Sequence, residues 1–238
     1  MKTKIYNLLI LDESGSMMEI KSATMRGFNE VVQTIKSAEL QFPEQEHLIS
    51  LVTFNSNGIR TKLDRAKAAD LMEISEDSFQ PNSGTPLFDA IGTSVIKLRN
   101  DIRTEDNVGV LVTILTDGEE NSSREYSGKL IKQIIEDQKR KGWTFTYIGA
   151  NHDVESTAES LSINNHLSFE GTEEDTNQMF ARERIARMNH YSRRSFSESS
   201  VSFFEKSDKP KEKKKVSKKE DELPSESFLD RLVKKIKT

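Results

Sequence analysis

The sequence contains no cysteine, only five prolines and a single tryptophan. The lack of cysteine excludes disulfide bonds and thiolate metal sites, and it is compatible with the reducing cytosol. No apolar run approaches the length of a membrane span. The run Leu8 to Leu11 near the start is too short for the core of a signal peptide. We therefore expect a soluble, cytoplasmic protein.

Positive charge is scarce in most of the chain and is concentrated in its last part. Residues 1–204 carry 23 basic and 31 acidic side chains, whereas residues 205–238 carry 12 basic and 8 acidic ones. An acidic body does not attract nucleic acid through its overall field. The basic run Lys211–Lys219 is flanked by acids and lacks interleaved aromatics, which is more typical of a solvated linker. Binding of nucleic acid or of a membrane surface by the tail is kept as an alternative function.

An apolar run near the N-terminus stops abruptly at an acid, in Leu8-Leu9-Ile10-Leu11-Asp12-Glu13-Ser14-Gly15-Ser16. Such a run is typical of a buried parallel strand, and ligand-binding loops lie at the carboxyl ends of such strands. Asp12, Ser14 and Ser16 occupy alternate positions, so a curled loop brings their oxygens to one point while Glu13 turns away. A carboxylate with hydroxyls, without His or Cys, suits a hard cation such as Mg²⁺ or Mn²⁺.

The rest of residues 1–190 alternates between apolar runs and amphipathic stretches. The turn signal at residues 55–58 predicts that the third strand returns antiparallel at the sheet edge, and Val108–Thr116 is continuously apolar, as in a strand covered on both faces. Thr85 is predicted to cap a helix with Pro86 at its first position. Ala66, Ala69 and Met72 are predicted to face inward on a short helix, and Met179, Ile185 and Met188 on the last one. The predicted strands are 4–11, 48–54, 59–63, 108–116, 143–150 and 166–169, and the predicted helices are 22–39, 65–73, 86–102, 130–141, 154–161 and 173–190.

Three motifs in this order resemble the von Willebrand factor A (VWA) domain. Asp12-Glu13-Ser14-Gly15-Ser16 resembles its DxSxS element, Thr85 in Ser83-Gly84-Thr85-Pro86 matches the threonine of its second loop, and Asp117 in Thr116-Asp117-Gly118 matches the aspartate of its third. The resemblance covers roughly residues 1–170. It implies an α/β fold with a doubly wound, mostly parallel sheet, one antiparallel edge strand and helices on both faces. It also implies a metal-ion-dependent adhesion site with five ligands: Asp12, Ser14, Ser16, Thr85 and Asp117.

The resemblance further implies a function. In such a site the hydroxyls of Ser14, Ser16 and Thr85 coordinate the cation directly, and the two aspartates do so directly or through water. A partner's Asp or Glu then takes the remaining position. We therefore expect a non-enzymatic adaptor that depends on Mg²⁺, with Mn²⁺ or Ca²⁺ as alternatives, similar to standalone bacterial members of the family. Two alternatives stay open: Thr85 is only a helix cap, and Glu119 and Glu120 either hold a second cation or are solvated.

Enzymatic functions find less support in the residues. Haloacid-dehalogenase phosphatases need a second acid two residues after the first, where this chain has Ser14, and Ser16 lacks a GxSxG context. A metal-assisted phosphoester hydrolase with Asp12 and Asp117 as ligands remains an alternative, although no general base is evident. The histidines lack metal-ligand spacing and are expected on the surface or in packing: His47, His152, His166 and His190.

Composition divides the chain into three regions. Residues 1–190 are expected to form the VWA domain. Residues 191–222, first rich in Ser and Arg and then in Lys and Glu, contain too little apolar surface to fold alone and are expected to be a flexible linker. Residues 223–238 combine a capping pattern with helically spaced apolar residues, which predicts an amphipathic helix. Its expected docking site is a second partner, this domain or, weakly, an anionic membrane.

Overall fold

The structure, a computed structural model, describes residues 2–71, 73–150, 152–193 and 203–204. Within these residues the strands are β1 (Thr3–Asp12), β2 (Gln45–Asn55), β3 (Gly58–Lys67), β4 (Val108–Thr116), β5 (Thr144–Ala150) and β6 (Asn165–Phe169). They form one sheet in the order β3-β2-β1-β4-β5-β6. The β2–β3 pair is antiparallel and the other neighbouring pairs are parallel. The predicted sheet with one antiparallel edge strand is confirmed.

Helices cover both faces of this sheet. They are α1 (Lys21–Gln41), α2 (Leu87–Asp101), α3 (Gly128–Arg140), α4 (Val154–Ser160) and α5 (Glu173–Tyr191). Alternate residues of β1 enter opposite cores, since successive side chains of a strand point to opposite faces. Ile5 and Leu9 pack with α1 and α5, whereas Leu8 and Ile10 pack with α2 and α3. None of the described helices is both long and apolar enough to span a membrane.

The strand order places a crevice between β1 and β4. From this point the chain continues in opposite directions across the sheet, through β2 and β3 on one side and through β5 and β6 on the other. In open α/β sheets, ligands bind outside the carboxyl ends of the strands at such a switch point. Asp12 ends β1 and Asp117 directly follows β4, so the topology alone brings these two acids to the same edge.

The helix predicted at 65–73 is wrong. Arg65, Ala66 and Lys67 continue β3, and only Ala68–Asp70 form a 3₁₀ turn. Ala69 is exposed while Ala68 is buried, and Met72 lies outside the described residues. Ala66 and Lys67 pair with β2 beyond an irregularity in the β2–β3 register, where Arg65 has a left-handed backbone with φ 50°. Pairing with β2 therefore overrides the helix propensity of the alanines.

The predicted inward face of the last helix is partly wrong. Met179 is buried and Met188 is half-buried, as expected, but the Ile185 side chain is 59% exposed. Glu183 and Arg187 take inward positions instead and are fully buried. The helix turns this way because Arg187 pairs with Glu183 and donates to the Thr113 hydroxyl of β4.

Candidate metal centre

The site is built from three loops, numbered in chain order: loop 1 (residues 13–18), loop 2 (82–86) and loop 3 (117–127). Asp12, the last residue of β1 before loop 1, is fully buried, and both of its carboxylate oxygens accept hydrogen bonds. Its Oδ1 accepts the Ser14 N–H at 2.7 Å, and its Oδ2 accepts the Thr116 hydroxyl at 2.6 Å. Hydrogen bonds from loop 1 and from the neighbouring strand β4 therefore fix this carboxylate.

Loop 1 and loop 3 meet through hydroxyl contacts. The Ser16 hydroxyl donates to Asp117 Oδ1 at 2.7 Å, and the Ser14 and Ser16 hydroxyl oxygens are 3.3 Å apart. A methyl group placed on Gly118 would lie 3.3 Å from Thr85 Oγ1 and 3.5 Å from Ser16 Oγ. Both hydroxyls thus border the same small space, and the structure brings all five predicted site residues together.

Thr85 in loop 2 is not the N-cap of α2, so this prediction is wrong. The helix begins at Leu87, and Pro86 takes the capping position without a side-chain hydrogen bond. The first free amides of the helix are satisfied from loop 3, because the Phe88 N–H donates to Glu120 Oε2 at 2.9 Å and the Asp89 N–H to Ser123 Oγ at 3.0 Å. The buried Thr85 hydroxyl is therefore not used in capping.

Glu120 and Asp89 have structural roles that the sequence analysis missed. Glu120 Oε1 accepts the backbone N–H groups of Ser122 and Ser123, at 2.8 and 2.7 Å. Asp89 accepts three successive backbone N–H groups of residues 124–126. Glu120 thus secures loop 3, whereas Glu119 is exposed. An acid at the third helical position, as at Asp89, was the one available signal, since this position favours acceptors.

Burial raises the pKa of both site aspartates, because it disfavours their charged forms. Burial raises the pKa of Asp12 to about 6, although hydrogen bonds from Thr116 and Ser14 act against this shift. Burial also raises the pKa of Asp117, and the charge of Glu19 adds to this. Asp117 Oδ2 is buried and has no hydrogen-bond partner. An uncompensated buried carboxylate oxygen is costly, so the site favours a neighbouring positive charge.

The donor set fits a hard divalent cation. Two carboxylates and three hydroxyls converge, all of them oxygen donors of the type that Mg²⁺, Mn²⁺ and Ca²⁺ prefer. Among the described residues no group of three or more His, Cys, Asp and Glu side chains is placed to hold a metal, so any cation here needs the hydroxyls. His152 is bonded at both nitrogens, to the Ala150 carbonyl at 2.6 Å and the Tyr147 hydroxyl at 3.1 Å.

Comparison with solved structures finds the same fold in proteins of low sequence identity. The vWF domain of the type V pili tip protein Mfa5 from Porphyromonas gingivalis is 10% identical with a TM-score of 0.58, over 82% of this chain and 98% of that one. The pilus adhesin SpaC from Lactobacillus rhamnosus GG, in an open conformation, is 12% identical with a TM-score of 0.57, over 80% of this chain and 30% of that one.

A third structure, proximal thread matrix protein 1 from the mussel byssus, is 14% identical with a TM-score of 0.51. This chain covers 46% of the mussel chain, and the match includes 78% of this one. A comparison with curated proteins gives no significant match. The family model of the von Willebrand factor type A domain matches residues 8–183, which is well over half of the sequence. The chain therefore belongs to the von Willebrand factor type A domain family.

Proposed function

We propose that this protein is a non-enzymatic, metal-dependent binding module that captures an acidic side chain of a partner protein. VWA domains commonly mediate protein–protein interactions, and membership of this family supports the proposal. The observation that carries it is that hydroxyls from loops 1 and 2 lie beside Asp117, whose Oδ1 accepts from Ser16 and whose Oδ2 is buried and unpartnered. The proposed ligands are Asp12, Ser14, Ser16, Thr85 and Asp117, and the proposed cation is Mg²⁺, with Mn²⁺ or Ca²⁺ as alternatives.

The chain's own residues divide the work at this site. Thr116 and the Ser14 amide hold Asp12 in place, and Ser16, which is exposed, forms the side of the site open to a partner. When bound, the cation supplies an electrophilic position for an incoming carboxylate. With two acids and three neutral hydroxyls, the protein supplies no more negative charge than a divalent ion carries. An Asp or Glu of the partner is therefore favoured over a neutral group.

Two further parts of the proposal concern the cellular compartment and the C-terminal region of the chain. We propose that the protein acts in the reducing cytosol, like bacterial adaptors of this family, and the absence of cysteine supports this. The predicted linker at 191–222 lies outside the described residues except for Tyr191–Arg193, Phe203 and Phe204, and the predicted helix at 223–238 lies wholly outside them. We propose that this helix makes a second, metal-independent contact. Deleting residues 223–238 is expected to remove that contact alone.

Capture of partners from host lysate tests the proposed function. Purified protein is compared in Mg²⁺, in chelator, and as the variants Asp12→Ala and Thr85→Ala. Asp106→Ala and Thr104→Ala are matched controls, because these exposed residues precede β4 at the amino ends of the parallel strands, away from the site. We expect the captured amount of one set of proteins to fall at least tenfold in chelator and with both site variants. The two control variants should capture these proteins as the wild type does.

Two results would contradict this function. The first is retention of the same proteins in chelator and in both site variants. The second is Mg²⁺-dependent release of phosphate from a generic phosphoester that is abolished by Asp12→Ala, which would establish the hydrolase alternative. Titration calorimetry with Mg²⁺ alone checks the metal site separately from any partner.

A further inference from the structure

Loop 2 is held from both sides by reciprocal hydrogen bonds. On one side the Thr85 N–H donates to Asn121 Oδ1 at 2.9 Å, and the Asn121 N–H donates to the Thr85 carbonyl at 3.2 Å. On the other side the Gly84 N–H donates to Ser56 Oγ at 3.1 Å, and the Ser56 N–H donates to the Gly84 carbonyl at 2.9 Å. The N–H and carbonyl groups of two consecutive residues, Gly84 and Thr85, are therefore clamped between Ser56 and Asn121 of loop 3.

The clamp leaves no spare room. A methyl group placed on Gly84 would lie 2.7 Å from Ser56 Oγ and 2.9 Å from Asn121 Oδ1. Both distances are shorter than the contacts that Cβ atoms make in proteins. The Ser56 and Ser122 hydroxyl oxygens are 3.0 Å apart, which joins the two sides of the clamp. The position of Thr85 is thus determined by its neighbours before any ligand binds.

Asn121 ties together two of the loops that supply the site. It lies four residues after Asp117 in loop 3, and its side chain and backbone both bond to the Thr85 backbone in loop 2. It therefore joins the Thr85 backbone to the loop that carries Asp117. Because the Asn121 side chain is exposed, it contributes little to the hydrophobic core.

We propose that Asn121 is a positioning residue of the metal site, which holds Thr85 for the cation without itself coordinating it. The inference rests on the proposed function and adds a residue outside the five predicted ligands. Residues that orient a ligand typically change metal affinity 10- to 100-fold when removed. Loss of the Asn121 amide leaves the Thr85 N–H to water and loosens loop 2 on this side, while the Asn121 N–H bond to the Thr85 carbonyl and the bonds to Ser56 are retained.

The test measures Mg²⁺ affinity by calorimetry, the melting temperature of the metal-free protein, and amide exchange at Thr85 by NMR. Asn121→Ala is expected to weaken Mg²⁺ binding 10- to 100-fold, to speed Thr85 amide exchange without metal, and to leave the melting temperature unchanged. Asn121→Asp keeps the acceptor, so Thr85 protection and an affinity at least equal to the wild type are expected. Asn57→Ala is the control, because this exposed amide bonds to Asn82 and not to Thr85.

Each alternative result has a distinct meaning. Unchanged Mg²⁺ affinity and a protected Thr85 amide in Asn121→Ala would overturn the inference while leaving the proposed function intact. An unfolded Asn121→Ala protein, or an equal loss in Asn57→Ala, would assign Asn121 a general structural role and overturn it as well. Absence of Mg²⁺ binding by the wild-type protein would instead overturn the proposed function itself, and with it this inference.

Discussion

Glu13 lies between two of the proposed metal ligands, yet its side chain points away from them. Its Oε1 accepts the Gln80 N–H at 2.8 Å, and its Oε2 lies 3.8 Å from Arg60 Nη1. The Glu13 carbonyl in turn accepts the Asn82 N–H. Alternate residues of loop 1 thus serve different purposes, because neighbouring side chains in an extended backbone point to opposite sides. Asp12 and Ser14 face the site, whereas Glu13 anchors the segment that leads into loop 2.

His47 shows how burial of a single residue makes stability depend on pH. Its side chain is fully buried, its Nε2 lies 3.0 Å from Gln45 Oε1, and its ring packs edge-on against Tyr191. Burial and the nearby charge of Arg187 lower the pKa of His47 to about 4. The same residue in an unfolded chain titrates near 6.5. Between these values the unfolded state binds more protons than the folded state.

The contribution of His47 to the free energy of unfolding is therefore expected to fall as the pH is lowered from about 6.5 to 4. This histidine alone accounts for about 3 kcal/mol across that window. Urea denaturation of the wild type and of His47→Gln between pH 7 and 4 measures the effect, with the half-buried His166→Gln as control. We expect His47→Gln to have the shallower pH dependence. Parallel profiles for His47→Gln and the wild type would contradict the assignment.

Helix α5 is joined to the central strands by a buried polar network. Arg187 and Glu183 are both fully buried and form an ion pair of 2.5 Å. Arg187 also donates to Thr113 Oγ1 on β4 at 2.8 Å and to Asn7 Oδ1 on β1 at 3.3 Å. The Tyr191 hydroxyl donates to the same Asn7 oxygen at 2.5 Å. The helix is therefore fixed against the two strands whose carboxyl ends carry Asp12 and Asp117.

This network predicts an unequal effect of single and paired substitutions. Glu183→Gln leaves the Arg187 charge buried without its counter-ion, so we expect a loss of about 3–5 kcal/mol in the free energy of unfolding. The double variant Glu183→Leu/Arg187→Met removes both charges and is expected to be more stable than Glu183→Gln. Urea denaturation measures both variants. Asp101→Asn, which breaks a partly exposed pair with Lys97 at the same spacing, should change stability by less than about 1 kcal/mol.

A double variant less stable than Glu183→Gln would contradict this account. It would mean that the hydrogen bonds of Arg187 to Thr113 and Asn7 outweigh the cost of burying the charge. The Lys97–Asp101 control separates this result from a general sensitivity of helices to the loss of an ion pair.

Elements with a single dominant pattern were predictable from the sequence. The apolar run Val108–Thr116 has the bounds of β4, and the turn at 55–58 correctly predicts the antiparallel edge strand. The inward face of α5 was not predictable, because charged residues such as Glu183 and Arg187 are typical of a solvated helix face. Only the fold places the Thr113 hydroxyl beside Arg187. Asn121 was missed for a related reason. Its partner is the backbone of Thr85, and a hydrogen bond to a backbone group cannot be inferred from the type of the partner residue. The ligand set itself stays a prediction.

At the scale of the whole molecule, packing continues beyond α5 to Phe203 and Phe204. Their side chains are only 1% and 7% exposed, and their rings pack edge-on against each other. Phe203 also packs against His190, and its N–H donates to Asn165 Oδ1 at 2.8 Å. Both belong to the apolar cluster that includes α1 and α5. These contacts lie within the region predicted as a linker and after the predicted domain boundary at residue 190.

The folded unit is therefore expected to depend on this aromatic pair. Phe203→Ala in the full chain should lower the free energy of unfolding by about 3 kcal/mol, because truncating a buried phenylalanine loses its apolar burial and leaves a cavity. Leu40→Ala removes a side chain that is 85% exposed and should have almost no effect. Deleting residues 205–238 should preserve stability, whereas deleting 192–238 should reproduce the loss in Phe203→Ala/Phe204→Ala. Equal urea midpoints for the wild type and this double variant would instead place the end of the folded unit at α5.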